Sequence, residues 1–224
     1  MFETAADELQ SATKPTNVRY RVFTLHLRPG HKWSDGSPFT AEDFRFQWED
    51  ILTDPDMDRG GLDAVFLAGG KPPKFEVIDP LTVRYTWETP NPLFLPALAG
   101  TRPLDIYSAS AYLKQFHANY ADPDKLAAEV AKEKVKYWQS LQIRMARSYR
   151  PENPDLPTLQ PWVNLTAPPS NRFVFQRNPY YHRVDQNGVQ LPYVDELVMN
   201  IAESSIIPAK TGSGESDLQE RYLS

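Results

Sequence analysis

The chain has 224 residues, enough for one large domain or two small ones with a hydrophobic core. It carries 24 Lys and Arg against 29 Asp and Glu and shows no basic stripe with interleaved aromatics, which argues against a nucleic-acid partner. The absence of cysteine excludes disulfides, thiolate metal sites and cysteine nucleophiles, and the short apolar runs predict no membrane span.

The first predicted strand ends in a tight turn. Phe23, Leu25 and Leu27 alternate with polar residues, the period of two that buries one face of a strand. Asp35 can hydrogen-bond its own backbone and Gly36 can take a positive φ, so the chain is expected to reverse there.

A helix is predicted directly after this turn. Thr40 is a favourable N-cap, and Glu42 and Asp43 place carboxylates where they meet free N–H groups and the positive end of the helix dipole. The predicted apolar stripe of this helix consists of Phe44, Trp48, Ile51 and Leu52.

A hairpin and two short helices are predicted next. Residues 75–87 alternate on either side of a proline-containing turn, which is typical of an antiparallel hairpin. Asn91 and Pro92 favour the start of a short helix, and residues 108–120 are also predicted to be helical.

The longest helix is predicted over residues 123–149, capped by Asp122 or Asp124 and amphipathic along its length. Six prolines between positions 151 and 169 then predict a stiff, extended connection over residues 151–170.

Two strands and a helix are predicted near the C-terminus. The strands span residues 172–177 and 195–203, with a turn at 186–188 between them. Ser204 or Ser205 is expected to cap the last short helix.

Residues 26–44, HLRPGHKWSDGSPFTAEDF, closely resemble the HLRPGVKWSDGxPFTAEDF signature of bacterial extracellular solute-binding proteins of family 5. These are ABC-importer receptors for oligopeptides, dipeptides, nickel chelates and some sugars. Further segments resemble the family in the same order: FEVIDPLTVRYTWETPNPLFLPALAG at 75–100, RNPYYHRVDQNGVQLPYVDELVMNI at 177–201 and GESDLQ at 214–219. Together they cover nearly the whole chain.

This resemblance implies an α/β fold of α+β type with mixed sheets. It would be a partial form of the type II periplasmic-binding-protein-like fold of family 5, consisting of the small domain plus part of lobe I. We assign residues 1–150 to the small domain and the adjoining part of lobe I, 151–170 to the Pro-rich connection, and 171–224 to part of the lobe I sheet. The second lobe is expected to be absent.

The resemblance also implies an internal fragment, because it starts within the family's first half and stops before the second lobe. A naturally short relative is the alternative. Residues 1–7 lack the basic region and apolar core of a signal peptide, so none is expected in this chain. Since the family's ligand lies between two lobes, we expect this chain to keep at most half of the ligand contacts and to bind peptides weakly.

By resemblance, the chain is the substrate-binding component of an ABC importer, periplasmic or otherwise extracytoplasmic and associated with the cell envelope. It would capture a small solute, a peptide first of all, and deliver it to a membrane permease. We expect a monomer that needs no cofactor and catalyses no reaction. Two alternatives stay open: a hydrolase acting on peptides or glycans, and a non-catalytic interaction module.

The candidate ligand-binding residues are Phe46, Trp33 and Trp162. Trp33 and Trp162 lie in predicted loops, where an amphipathic ring often meets a ligand or an interface between lobes. The segment that carries Phe46 is similar to one that supplies an aromatic side chain to the inter-lobe cleft. Some relatives have Tyr there, so a hydroxyl contact would be lost.

The sequence gives weaker support to hydrolysis, metal binding and a phosphate-binding loop. Asp35, Glu42, Asp43 and Glu49 suggest a two-carboxylate hydrolase, but turn formation and helix capping account for the first three. The four histidines lack zinc-site spacing, so no metal is expected, and each is predicted on the surface or in a turn. Residues 210–214, KTGSG, have the wrong order for a phosphate loop because the lysine precedes both glycines.

Overall fold

The computed structural model describes residues 3–4, 20–57, 60–100 and 103–219. Residues 1–7, where no signal peptide is expected, lie outside these ranges apart from 3–4. The strands are β1 (Glu3–Thr4), β2 (Val22–His26), β3 (Lys74–Asp79), β4 (Thr82–Thr86), β5 (Trp162–Asn164), β6 (Arg172–Arg177) and β7 (Glu196–Asn200). They form one sheet in the order β1-β2-β4-β3 and another in the order β5-β6-β7, with antiparallel neighbours throughout.

Short helices accompany these sheets, which confirms the predicted combination of helix and sheet, but the described strand pairs are all antiparallel, so the predicted mixed sheets are not observed. The α-helices are α1 (Ala41–Arg45), α2 (Phe94–Leu98), α3 (Ser110–Leu113), α4 (Pro123–Lys132), α5 (Trp138–Met145) and α6 (Ile207–Gly212). A π-helical stretch, Phe46–Leu52, continues α1 without a break. Single 3₁₀ turns occur at Pro55–Met57, Ala64–Phe66, Lys114–Phe116 and Ser204–Ile206.

The predicted strand, turn and hairpin of the first sheet are confirmed. Phe23 pairs with Tyr85 and Leu25 with Val83 across β2 and β4, and all four side chains are buried. Gly36 has a φ of 86°, the left-handed conformation that the predicted turn requires.

The continuous helix over residues 41–52 lies between two hydrophobic clusters. Phe44 and Trp48 belong to a cluster built on the first sheet, whereas Phe46 and Ile51 belong to a second cluster with the helices α3 to α5. The predicted apolar stripe therefore describes only part of the buried surface of this helix, because its opposite face is also covered.

The single long helix predicted over residues 123–149 is wrong. Helix α4 ends where Lys134 adopts a φ of 53°, and α5 starts only at Trp138. The N–H of Val135 donates to the Val130 carbonyl and the N–H of Lys134 to the Ala131 carbonyl, which together form a Schellman motif. The break lets both short helices pack on the second cluster.

Two predicted helix starts are also wrong. Asn91 Oδ1 accepts from the Leu93 N–H, but α2 begins only at Phe94. The last helix has no side-chain cap from Ser204 or Ser205. In both places a turn precedes the helix.

The Pro-rich segment is not a bare linker. It contains β5, which pairs with β6, and its Leu156 and Leu159 pack against the first cluster. The domain boundaries at residues 150 and 170 stay predictions.

Lys134→Gly is expected to stabilise the protein by about 0.5–1 kcal/mol, because glycine avoids the strain of a left-handed conformation that costs other residues about 1–2 kcal/mol. Urea unfolding would measure the change. Ala128→Gly, at an exposed interior position of α4, is the matched control and should destabilise by about 1 kcal/mol. Equal losses in both variants would contradict the Schellman assignment.

Candidate ligand-binding site

A pocket of about 400 Å³ lies between the segment 103–109, helix α5 and the segment 156–160. Its wall is mostly apolar and includes Trp33, which belongs to the cluster built on the first sheet. Pockets of this size and composition are where small ligands bind most often. The polar groups in the wall therefore decide what the pocket can recognise.

Two polar side chains of this wall, Gln142 and Ser108, are buried without a partner among the described residues. Gln142 lies on α5 and is 1 % exposed, yet neither its Nε2 nor its Oε1 has a hydrogen-bond partner among the described residues. The Ser108 Oγ in the same wall is likewise buried and unpaired within the described part of the chain. An unpaired buried polar group costs about 1–3 kcal/mol, so these two groups are the candidates in this wall for contact with a ligand.

Trp33 is held in this wall by a buried carboxylate. Its Nε1 donates to Asp43 Oδ2 at 3.1 Å, and the same oxygen accepts from the Thr40 N–H at 2.9 Å. The other oxygen accepts from the Ser110 N–H at 3.0 Å and from the Ser110 hydroxyl at 2.7 Å. Burial raises the pKa of Asp43, although these four donors favour the ionised form.

The remaining carboxylates of this region have structural partners. Glu42 pairs with Arg45 at 2.7 Å and with Lys114 at 2.6 Å, and hydrogen bonding to Arg45 is the main cause that lowers the pKa of Glu42 to about 2. Asp35 accepts from the Ser37 N–H at 2.9 Å within the predicted turn. Because its lowered pKa keeps Glu42 ionised, Glu42 is a poor general acid near neutral pH.

The histidine prediction is wrong for His117, which is fully buried rather than at the surface. Its Nε2 lies 3.0 Å from the Asp50 carbonyl, and its ring packs edge-on against Trp138. Within the described ranges, no group of three or more His, Cys, Asp or Glu side chains could hold a metal ion. The helices of the same ranges are too short or too polar to cross a membrane.

Comparison with known proteins identifies the family. Residues 10–224 match the family described as "Bacterial extracellular solute-binding proteins, family 5 Middle". The chain belongs to this family. The resemblance seen in the sequence is thereby confirmed.

Two curated family 5 relatives differ in what their names say they bind. The chain is 31% identical over 208 residues to the periplasmic alpha-galactoside-binding protein of Rhizobium meliloti, covering 89% of this chain and 27% of the relative. It is 28% identical over 183 residues to the periplasmic oligopeptide-binding protein OppA of Salmonella typhimurium, covering 76% of this chain and 28% of the relative.

Solved structures are also similar to this chain and confirm the predicted partial family 5 fold. An oligopeptide-binding protein OppA has a TM-score of 0.77 and 33% identity, covering 91% of this chain and 31% of that chain. The binding protein MelB of Agrobacterium fabrum C58, in complex with stachyose, has a TM-score of 0.67 and 26% identity, covering 97% of this chain and 28% of that chain. The chain thus spans less than a third of the length of each of these relatives.

The three predicted ligand-binding residues occupy different places in this family 5 chain. Trp33 lies in a loop, as predicted, and borders the pocket, but it is only 5 % exposed. Phe46 is 0 % exposed, and its ring contacts His117 and Tyr120. Trp162 lies on β5 and not in a loop, and its Nε1 donates to the Val194 carbonyl.

Ligand binding by Phe46 and Trp162 stays a prediction, since neither is among the described residues of the pocket wall. Sequence reasoning missed Gln142 and Ser108 as site residues. Gln142 follows Leu141 on the predicted helix and looks like an ordinary polar position, because nothing local shows that other segments cover it.

Asp43→Asn is expected to destabilise the protein by at least about 2 kcal/mol, because an amide nitrogen would face N–H or O–H donors that now meet a carboxylate oxygen. Chemical denaturation would measure the loss. Asp35→Asn is the control, since its Oδ1 can keep the bond from Ser37 in an exposed turn, and its effect should stay within about 0.5 kcal/mol. Similar small effects in both variants would contradict a central role for Asp43.

Gln142→Leu is expected to raise the free energy of unfolding by about 1 kcal/mol or more, because it removes an unpaired buried amide and keeps most of the volume. Gln139→Leu is the control on the same helix. Its Nε2 donates to the Asp56 carbonyl at 3.1 Å, so the same substitution should be neutral or destabilising. A loss of stability in Gln142→Leu would show that the amide serves the fold.

Proposed function

We propose that this chain forms a ligand-contacting part of an extracytoplasmic receptor that captures a small peptide and delivers it to an ABC permease. The observation that carries this proposal is the unpaired amide of Gln142 in the pocket wall. An amide presents an acceptor and a donor side by side, which complements a peptide group. The peptide-binding names of several relatives support the choice.

The proposed receptor acts as a periplasmic monomer without a cofactor or a chemical step. Trp33 supplies an apolar edge to the pocket, and the Asp43 carboxylate keeps its indole in place. Catalysis is not proposed, because Asp35, Glu42 and Asp43 are engaged in a turn, an ion pair and a helix cap. Relatives named as binding proteins support this choice.

An oligosaccharide is the second candidate ligand. It is supported by the relative named for alpha-galactosides and by the neighbour in complex with stachyose. Hydroxyl groups also donate and accept, so they too can pair with the Gln142 amide and the Ser108 hydroxyl. The two ligand classes must therefore be compared by experiment.

We expect the side-chain NH₂ resonances of Gln142 to shift when the full chain is titrated with its ligand, followed by ¹H–¹⁵N NMR. Trialanine and stachyose are the probes for the two classes. The indole resonance of Trp33 provides a second reporter in the same pocket. In Gln142→Leu the Trp33 shift should be lost, whereas Gln139→Leu should keep it.

Each outcome has a distinct meaning. A saturable shift with trialanine alone supports the peptide, and a shift with stachyose alone moves the proposal to an oligosaccharide. No shift with either probe at millimolar concentration would contradict this pocket as the ligand site. Mass spectrometry of the probes after incubation should find them intact, and cleavage would favour a hydrolase.

A further inference from the structure

A second pocket, of about 230 Å³, lies beside the turn that carries Asp35. It is formed where the chain leaving β2 meets the loop after β6. Tyr180 of that loop lies close to Gly36, since a Cβ built on this glycine would be 3.1 Å from the tyrosine hydroxyl. The loop after β6 is therefore in contact with the turn that follows β2.

Two histidines meet in this pocket. The ring centroids of His31 and His182 are 4.9 Å apart, and the rings are tilted by 60°. The Nε2 of His31 and the Nδ1 of His182 are buried and have no hydrogen-bond partner among the described residues. Buried imidazole nitrogens normally find a partner, so this pair offers binding capacity that the fold does not use.

The charge around the two histidines is positive. Arg28 and Lys32 line the same pocket, and none of its described lining residues is acidic. The Lys32 ammonium lies 5.2 Å from the centre of the Tyr180 ring, and no ion pair joins Arg28 or Lys32 to a described carboxylate. The cations therefore lack a counter-ion within the described part of the chain.

This environment disfavours protonated imidazole. Burial lowers the pKa of His31, and burial together with His31, Arg183 and Arg28 lowers the pKa of His182 to about 4. Besides these groups, the ring of Tyr181 faces His182 at 4.9 Å. Both imidazoles are thus neutral near pH 7, and each carries one N–H donor.

We propose that this pocket binds a phosphate-type oxyanion between Arg28, His31, Lys32 and His182. A guanidinium, an ammonium and imidazole N–H groups are all donors to phosphate oxygens, and an anion would supply the missing countercharge. A metal cation fits less well, because Arg28 and Lys32 would repel it and two histidines fall short of a complete ligand set. The proposal does not depend on which solute the first pocket binds.

Histidine NMR of the full chain tests this proposal. Titration with inorganic phosphate, against chloride at equal ionic strength, should give saturable shifts and should raise the pKa of His31 and His182, because a nearby anion favours the protonated ring. His26 is exposed and bonded to Thr82, so it provides an internal control that should not respond.

Variants locate the binding site. Arg28→Gln and His182→Gln should each weaken phosphate binding about tenfold or more, the effect of losing one charge-assisted hydrogen bond. Arg172→Gln, at an exposed position on β6, is the matched control and should leave the affinity unchanged. If a pocket variant fails to fold, the response of the two histidines in the unaltered chain still shows whether this pocket binds phosphate.

A free phosphate and a lipid headgroup present the same phosphate oxygens. Binding to lipid vesicles is therefore measured as a second experiment. Binding of inorganic phosphate assigns the pocket to a soluble oxyanion. Binding only to phosphatidylglycerol vesicles, lost in Arg28→Gln and absent with phosphatidylcholine alone, assigns it to a headgroup. The proposal is overturned if neither probe moves the two histidines, or if the pocket variants bind as tightly as Arg172→Gln.

Discussion

The described core depends on one buried carboxylate, that of Asp43. Its two oxygens accept hydrogen bonds from the loop that carries Trp33, from the N-cap at Thr40 and from the start of α3 at Ser110. A buried carboxylate is tolerated only when it is this well paired, and the pairing joins the segment 33–43 to the start of α3, which lies 67 residues further along the chain. Because the helix over residues 41–52 starts at this point, its orientation between the two hydrophobic clusters is set by the same interaction.

The two pockets show the opposite condition at a few polar groups, which are buried with no hydrogen-bond partner among the described residues. Gln142 and Ser108 in the first pocket, and the two imidazoles in the second, carry a free-energy cost that apolar side chains would avoid. Such costs concentrate at sites where a ligand supplies the missing partner. Trp33 of the first cluster lines the first pocket, and Phe39 of the same cluster contacts His31 of the second pocket.

The family signature also acquires a physical explanation. Asp35 and Gly36 reverse the chain, Thr40 and Asp43 form the capping box, and Trp33 donates its indole N–H to the capping carboxylate. These residues thus form one connected hydrogen-bonded unit, since the Trp33 backbone N–H also donates to the Ser37 carbonyl in the turn. The family match extends well beyond this unit, over residues 10–224.

Local chemistry in the sequence determined the capped helix at Thr40, the hairpin of β3 and β4, the strand β6 and the family. Each depends on neighbours within a few residues, so periodicity and capping rules suffice. Tertiary structure alone decided the break at Lys134, the second buried face at Phe46 and the burial of His117, because in each case packing from distant segments overrides an unremarkable local pattern. For the same reason, the sequence did not predict the buried amide of Gln142 or the contact of His31 with His182. An unpaired polar group can be recognised only after the residues that cover it are in place.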